Sequence, residues 1–288
     1  MKIILSTDFS AENEMLFPYA IDLLKEAGGE IILFHAFMDQ ILMGDSSFPG
    51  GLDSDTFFNR DLLIEMEQQA EKFMQEKQQL LEQKLSEAAL DHIKVTPVLK
   101  GGDPEMELIQ LAEKEQPDLV LMGTHGKGKK SFLEGSMAKS VMTKLNVPLL
   151  SIPQDYQWNK NDDILYATNF GRFEVSTINQ IFATLRHYHP VIHVVHLQED
   201  AEDDKPALLM EELKQAFRPE IAKQSIRFHL LKTTMPKEAL VLFCEQNNIS
   251  MASFIANRRK LIDYIFKDKI GKDAFFDLGI PMLTVREP

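Results

Sequence analysis

A segment rich in glycine and lysine, from Gly123 to Lys139, has the composition of a loop that binds an anion. It holds four glycines and four lysines. Gly123 and Gly126 lack a Cβ atom and can take positive φ angles, so the backbone there can lie close to phosphate oxygens. A helix that begins near Gly135 and Ser136 would point its first N–H groups and the positive end of its dipole at the same anion. The segment therefore predicts a phosphate-binding loop.

The elements that must position this loop can be read from the hydrophobic pattern of residues 1–153. Five short apolar runs predict strands: KIILST, EIILFHAF, VTPVLKGG, DLVLMG and VPLLSI. Segments with helical spacing separate them, including a long one from about Phe57 to Leu90 and one with Asp103 as N-cap and Pro104 at its first position. This alternation predicts a parallel sheet with helices on both faces.

The carboxyl ends of the first and fourth strands are the places to expect a ligand. In an open parallel sheet, ligands bind beyond the carboxyl ends of the strands, close to the point where the strand order reverses. STDFS follows the first strand and MGTHG follows the fourth. We therefore expect both segments to border one crevice.

The chain then repeats its plan. ILYATNF aligns with IILSTDF at an offset of 161 residues. The same offset aligns VIHVVHL with EIILFHA, so that His196 matches His35. GIPMLTV lies over NVPLLSI at an offset of 133. We therefore predict two tandem αβ domains, residues 1–153 and 163–288, joined by a linker at 154–162. The shared histidine position predicts a packing or hydrogen-bonding role in both halves.

The glycine segment and its surroundings resemble the universal stress protein family. MGTHG, a basic spacer and GS opening a helix are similar to the family's nucleotide loop, G-x2-G-x9-G-[ST]; here the form is G-x2-G-x8-G-S, with Glu134 before the GS pair. STDFS, FHAF, KGGDPEMELIQLAEKEQPDLVLMG and NVPLLSIP also resemble the family pattern. The resemblance implies an α/β fold with two tandem Rossmann-like (adenine nucleotide alpha hydrolase-like) domains. Each would have a five-stranded parallel sheet of order 3-2-1-4-5 with helices on both faces, and two such domains would pair through their fifth strands.

The resemblance also implies a binding site for an adenine nucleotide, ATP with or without Mg²⁺, in the first domain. Thr7 and Asp8 would lie beside the ribose and adenine, and the backbone at Ala36 would meet the adenine edge. The segment after the fourth strand would surround the phosphates, with a hydroxyl donor from its serine: Met122, Gly123, His125, Gly126, Gly135 and Ser136. No catalytic set is visible, so enzymatic activity stays open, with slow ATP hydrolysis as its upper limit.

The second half has lost these residues. At the two offsets, Asp8 becomes Asn169, and the loop positions become Ala256, Arg259, Asp268 and Lys269. An aspartate at the helix start would repel a phosphate, and an arginine in place of glycine would fill the space that the phosphate needs. We therefore predict that the second domain binds no ATP.

Three other motifs give weaker signals. GTHGKGKKS partly matches the P-loop motif, but Lys130 occupies the position at which that motif has a serine or threonine that binds Mg²⁺. RHYHPVIHVVH holds four histidines, but His193 and His196 are three residues apart in a predicted strand and would point to opposite faces, which argues against a metal site. The single cysteine, Cys244, reads as a core thiol, and one cysteine permits no intramolecular disulfide.

Composition limits the remaining function classes. The chain has 288 residues and a formal net charge of −13, which would repel a nucleic-acid backbone. No run reaches the length of a membrane span and the amino terminus is unlike a signal peptide, so we expect a cytoplasmic protein. The leading hypothesis is a stress-response protein that binds ATP as a regulatory ligand. The alternatives are a non-nucleotide scaffold of the same fold that acts through protein partners, and an enzyme for a phosphorylated metabolite; a homodimer stays open.

Overall fold

The structure, a computed structural model, describes residues 1–37, 54–123, 136–153, 156, 163–198, 203–255 and 279–286. It divides into two compact units, an amino-terminal unit, Met1–Pro117, and a carboxy-terminal unit, Asp118–Pro288. The predicted domain boundaries at 153 and 163 stay a prediction. In the described ranges, no helix combines the length and the apolar character that crossing a membrane requires.

The amino-terminal unit alternates strands and helices. Its elements are β1 (Lys2–Ser6), α1 (Leu16–Lys25), β2 (Glu30–Phe37), α2 (Ser54–Glu87), β3 (Lys94–Gly101) and α3 (Pro104–Glu115), with a 3₁₀ turn at Glu12–Met15 before α1. The strands pair in the order β3-β2-β1, both pairs parallel, with Ser6 opposite Phe34 and Phe34 opposite Val98. Ile3, Ile4 and Leu5 are each 0% exposed. Since neighbouring residues of a strand face opposite sides, the sheet is covered on both faces at β1.

The helices of this unit follow from local sequence signals. On α2, Ala70, Met74, Leu81 and Leu85 are buried at helical spacing and form one apolar stripe. The predicted cap of α3 is confirmed: the Asp103 carboxylate accepts a hydrogen bond of 2.9 Å from the backbone N–H of Met106, and proline follows at the first helical position.

The carboxy-terminal unit contains the remaining elements. They are β4 (Leu119–Gly123), α4 (Ser136–Lys144), β5 (Leu149–Ile152), β6 (Asp163–Ala167), α5 (Glu174–Thr184), β7 (Ile192–Gln198), α6 (Lys205–Ala216), α7 (Arg218–Ala222), β8 (Ile226–Lys232), α8 (Pro236–Gln246), β9 (Ile249–Ile255) and β10 (Met282–Val285). The strands of this unit follow the order β4-β5-β10-β9-β6-β7-β8.

The second half reproduces the order implied by the resemblance. β6, β7, β8, β9 and β10 are its first to fifth strands, and they lie in the order β8-β7-β6-β9-β10 with parallel pairs, which is 3-2-1-4-5. In the first half, the pairings within each unit give β3-β2-β1 and β4-β5. The predicted α/β fold class with a mostly parallel, Rossmann-like sheet is confirmed.

The two fifth strands pair with each other. β5 and β10 run antiparallel, with Leu150 opposite Leu283 and Leu149 opposite Thr284. The Thr284 hydroxyl donates to the carbonyl of Leu149 at 3.3 Å. The last strand of each half therefore has its free edge covered by the other, inside one chain.

Candidate functional site

The segment after β1 is held by hydrogen bonds on every polar group of Thr7. Its N–H donates to the carbonyl of Phe34 at 2.9 Å, and its hydroxyl accepts from the N–H of Phe9 at 3.0 Å. Its carbonyl accepts from Nδ1 of His35 at 2.7 Å. A carbonyl can only accept, so Nδ1 of His35 carries a proton and donates it to this bond. The end of β1 is thereby tied to the end of β2.

Asp8, the next residue, is half-buried, and one of its carboxylate oxygens binds three donors. Oδ1 accepts from the N–H of Ser10 at 2.9 Å and from the Ser10 hydroxyl at 2.5 Å. It also accepts from the side-chain amide of Asn13, which is itself buried. These bonds are those of a turn in which an aspartate caps its own loop, and they fix the direction of the carboxylate.

Phe9 completes the turn in a backbone conformation that bulky residues seldom adopt. Its φ is 63°, in the left-handed region. Its ring lies against the His35 ring, with 3.9 Å between centroids, and against Phe73 of α2 at 5.9 Å. Such a conformation costs of order 1 kcal/mol and persists because its surroundings determine it. The ring contact and the hydrogen bond to Thr7 are those surroundings here.

The structure brings part of the predicted site together and leaves part outside its description. Thr7 and Asp8 lie at the carboxyl end of β1, and Ala36, 8% exposed, follows His35 near the carboxyl end of β2. Met122 and Gly123 end β4 in the carboxy-terminal unit, and Ser136 is the first residue of α4, which confirms a helix starting there. His125, Gly126 and Gly135 lie outside the described residues, as do Ala256, Arg259, Asp268 and Lys269 of the second half.

The same turn recurs in the second half, 161 residues later. Phe170 has a φ of 53° and its N–H donates to the Thr168 hydroxyl at 3.0 Å. His196 donates from Nδ1 to the Thr168 carbonyl at 2.8 Å, and its ring lies 4.5 Å from that of Phe170. Burial lowers the pKa of His196, with the bond to Thr168 acting in the opposite direction, so the ring stays neutral at neutral pH. The predicted hydrogen-bonding role of the shared histidine position is confirmed.

The carboxylate of the turn differs between the halves. Asn169 replaces Asp8 and is exposed, whereas Glu174, which matches Asn13, is 6% exposed. Glu174 accepts from the N–H of Gly171 at 2.6 Å and from the Tyr166 hydroxyl at 2.5 Å. The carboxyl group therefore lies inside the loop in the second half, where a buried core tyrosine binds it.

Sequence reasoning did not identify the residues that shape these turns. Phe9, Ser10, Asn13 and Glu174 carry no motif by themselves, and the left-handed backbone of a phenylalanine has no clear sequence signature. The recurrence of TDF and TNF at the repeat offset was the available signal. This recurrence marks the position of the turn in each half, but it does not indicate that the phenylalanine ring contacts a histidine.

Two other histidines of the second half, His193 and His229, form a separate cluster. Nε2 of His193, a fully buried residue, lies 2.8 Å from the Asp163 carboxylate, which is also 3.7 Å from Arg227. The rings of His193 and His229 stack with 5.0 Å between centroids, and Phe243 packs edge-on against both. His193 is bonded to Asp163, whereas His196 is bonded to Thr168. No group of three metal-ligating side chains occurs among the described residues.

The pKa values in this cluster and at the cysteine indicate a neutral core. Burial lowers the pKa of His193 despite its bond to Asp163, and lowers that of His229 to about 4. Cys244 is buried, and burial raises the pKa of its thiol to about 12, so the predicted core thiol is confirmed and is not reactive.

Comparison with known proteins decides the family. A model described as the universal stress protein family matches residues 1–153, more than half of the 288-residue chain. The chain belongs to the universal stress protein family. Two curated universal stress proteins of Methanocaldococcus jannaschii are each 26% identical to it, over 161 and 152 residues. These matches cover 52% of this chain and 93% and 81% of the two relatives.

A solved universal stress protein shares the fold along the whole chain. The crystal structure of a universal stress protein from Archaeoglobus fulgidus DSM 4304 aligns with a TM-score of 0.64. The alignment covers 99% of this chain and 96% of that chain at 18% sequence identity. At this identity the likeness concerns the fold alone, and it extends to the second half, where the sequence pattern of the family is weaker.

Proposed function

We propose that the first half of this universal stress protein binds ATP, alone or with Mg²⁺, as a regulatory ligand. Thr7 and Asp8 bind the ribose and adenine, and the Ala36 backbone meets the adenine edge. The segment that follows β4 binds the phosphates through Met122, Gly123, His125, Gly126, Gly135 and Ser136. Backbone N–H groups and a helix start are the groups that bind phosphate in other folds.

The observation that supports this proposal most is the turn around Asp8. Its carboxylate has a fixed direction because Ser10 and Asn13 bind Oδ1. An ionised carboxylate can accept hydrogen bonds from hydroxyl groups such as those of ribose. The turn lies at the carboxyl end of β1, and a hydrogen bond joins it to His35, the residue before Ala36. β1 and β2 are parallel, and in this class of fold ligands bind beyond the carboxyl ends of the strands. The residues present therefore fit a nucleoside.

We propose that the second half binds no ATP. Its turn has the same backbone, but Asn169 supplies no charge, and Glu174 is engaged with Tyr166 and Gly171. A carboxylate that is buried and bonded inside the loop does not offer an acceptor to a ribose.

Isothermal titration with ATP, AMP and GTP tests the proposal. We expect micromolar binding of ATP and weaker binding of GTP, because the adenine edge is read by the backbone at Ala36. Asp8→Ala and Gly126→Glu should each weaken ATP binding by at least about tenfold, the loss expected when a charged hydrogen-bond partner is removed or a phosphate is sterically excluded. Asn169→Ala is the matched control and should leave the affinity unchanged.

Other outcomes would favour the other hypotheses. A folded chain that binds none of the three nucleotides would contradict the proposal and favour a scaffold that acts through protein partners. Turnover of a phosphorylated metabolite would favour an enzyme. Equal loss of affinity in Asp8→Ala and Asn169→Ala would show that the nucleotide does not bind at the first turn.

We also propose that residues 1–153 and 163–288 are two domains joined by 154–162 and paired internally. Antiparallel pairing of β5 with β10 supports this arrangement. Separate expression of residues 1–153 would leave the edge of β5 open, and open edges promote association. The fragment should therefore self-associate in light-scattering measurements, and co-expressed residues 154–288 should co-purify with it as a one-to-one complex. A monomeric fragment of residues 1–153 that does not bind residues 154–288 would contradict the proposal.

A further inference from the structure

One side chain, His35, holds both neighbours of Asp8. On the amino-terminal side, its Nδ1 donates to the carbonyl of Thr7 at 2.7 Å. On the carboxy-terminal side, its ring lies 3.9 Å from the ring of Phe9. The residues before and after the carboxylate are thus fixed to the same imidazole, which belongs to β2 and not to the turn.

The direction of the Asp8 side chain depends on this attachment. The bonds from Ser10 and Asn13 to Oδ1 form only if the chain reverses at Phe9, whose φ of 63° is unfavourable for a bulky residue. The contact of the Phe9 ring with His35 offsets that cost. Loss of either half of the attachment would let the turn relax to a more favourable backbone and move the carboxylate.

We propose that His35 is the positioning residue of the nucleotide site: it sets the place of the Asp8 carboxylate for the ribose without touching the ligand. The inference rests on the proposed ATP site. His35 also connects the two segments that would hold the nucleoside, because Ala36 is its neighbour in β2.

The second half of the chain supplies an internal control. His196 makes the same two contacts, to Thr168 at 2.8 Å and to the ring of Phe170 at 4.5 Å, around an asparagine that carries no charge. A substitution at His196 should therefore alter local structure in the same way as one at His35, but at a turn that binds no nucleotide. Any effect on affinity that is specific to His35 then comes from positioning and not from stability.

Three variants separate the parts of the proposal. His35→Phe keeps an aromatic ring beside Phe9 and removes the donor to Thr7. His35→Asn keeps a side-chain N–H donor near the place of Nδ1 and removes the ring. His196→Phe is the matched control, and circular dichroism and urea unfolding establish that each variant folds.

Titration of the full chain with ATP gives the first readout. We expect His35→Phe to weaken ATP binding by about tenfold, the effect of a lost hydrogen bond and a displaced carboxylate. His35→Asn should retain more affinity than His35→Phe, and His196→Phe should bind as the wild type does. Equal affinities of His35→Phe and His196→Phe would overturn the inference while leaving ATP binding itself in place.

A double-mutant cycle gives a readout that a purely structural role would not change, and amide exchange tests whether His35 holds the turn. If His35 acts through Asp8, His35→Phe should weaken binding much less in an Asp8→Asn chain than in the wild type; additive effects would contradict the inference. Hydrogen exchange without ligand should become faster at the Ser10 amide in His35→Phe and at the Gly171 amide in His196→Phe. Unchanged exchange at Ser10 would show that His35 does not hold the turn. If the wild-type chain binds no nucleotide, the proposed function fails and the positioning role falls with it.

Discussion

Replacing His229 with phenylalanine removes a titratable ring from the aromatic cluster of His193, His229 and Phe243 and keeps its aromatic contacts. The ring of His229 stacks on His193 at 5.0 Å and meets Phe243 edge-on at 4.8 Å, contacts that a phenyl ring can make. Burial is the main cause that lowers the pKa of His229 to about 4, followed by repulsion from the protonated form of His193 and from the charges of Arg227 and Lys214.

The sign of the pH effect follows from the two pKa values. The unfolded chain binds a proton at His229 near pH 6.5, whereas the folded chain binds it only near pH 4. Stability is therefore unaffected by this group above about pH 6.5 and falls as the pH decreases from 6.5 to about 4, where the unfolded state binds more protons.

The magnitude is bounded by the same values. At about 1.36 kcal/mol per pH unit, the difference between 6.5 and about 4 gives an upper limit of about 3 kcal/mol. His229 is partly exposed, so water screens its charge and we expect about 1 to 2 kcal/mol. Since the carboxylates of the chain also titrate in this range, only the difference between wild type and variant reports on His229.

Urea unfolding followed by circular dichroism at intervals from pH 7.5 to 4 measures this difference. The free energy of unfolding of His229→Phe, relative to wild type, should rise by about 1 to 2 kcal/mol as the pH falls. His92→Gln, at an exposed position, is the control and should follow the wild-type curve. A difference between His229→Phe and wild type that stays constant from pH 7.5 to 4 would refute the reasoning.

Three further experiments test local features of the fold. Asp103→Ala removes the side-chain cap of α3 and should lower the free energy of unfolding by about 1 kcal/mol. Asp204 stands at the start of α6 but makes no side-chain cap, so Asp204→Ala should change the free energy of unfolding by less than about 0.5 kcal/mol. Urea unfolding measures both values. Gly29 has a φ of 133°, and a Cβ added there would lie 1.8 Å from the carbonyl oxygen of Met1. A Cβ added at Gly279 would have no atom within 4 Å, so Gly29→Ala should lower the melting temperature far more than Gly279→Ala. Cys244 should react with a thiol reagent only after unfolding, because it is buried and its pKa is about 12; rapid labelling of the native chain would contradict this.

Much of the fold could be predicted because strand and helix signals are local. EIILFHAF predicts a strand at Glu30–Phe37, and the structure has β2 at those residues. The long helix is predicted from about Phe57 and begins at Ser54, because the helical pattern has weak ends there. Segment length, apolar spacing and caps depend on residues near in sequence, and these are visible without coordinates.

The candidate site was predictable only in part. The repeat offset marks His35 and His196 as equivalent, and the structure gives both the same bond to a threonine carbonyl. The reversal at Phe9 and the inward carboxylate of Glu174 were not predictable. They depend on contacts between residues that are distant in the chain or on a backbone conformation that the residue type disfavours.

The sequence by itself determined the order of strands and helices, the duplication of one αβ plan, and membership of the universal stress protein family, because periodicity, repeat offsets and motifs are properties of the linear chain. Only the tertiary structure decided that β5 and β10 pair antiparallel, that an imidazole of β2 holds the turn around Asp8, and that two neutral histidines stack in the core of the carboxy-terminal unit. Each of these contacts joins residues that are distant in the chain and whose approach depends on packing within their unit, and no local pattern encodes that packing.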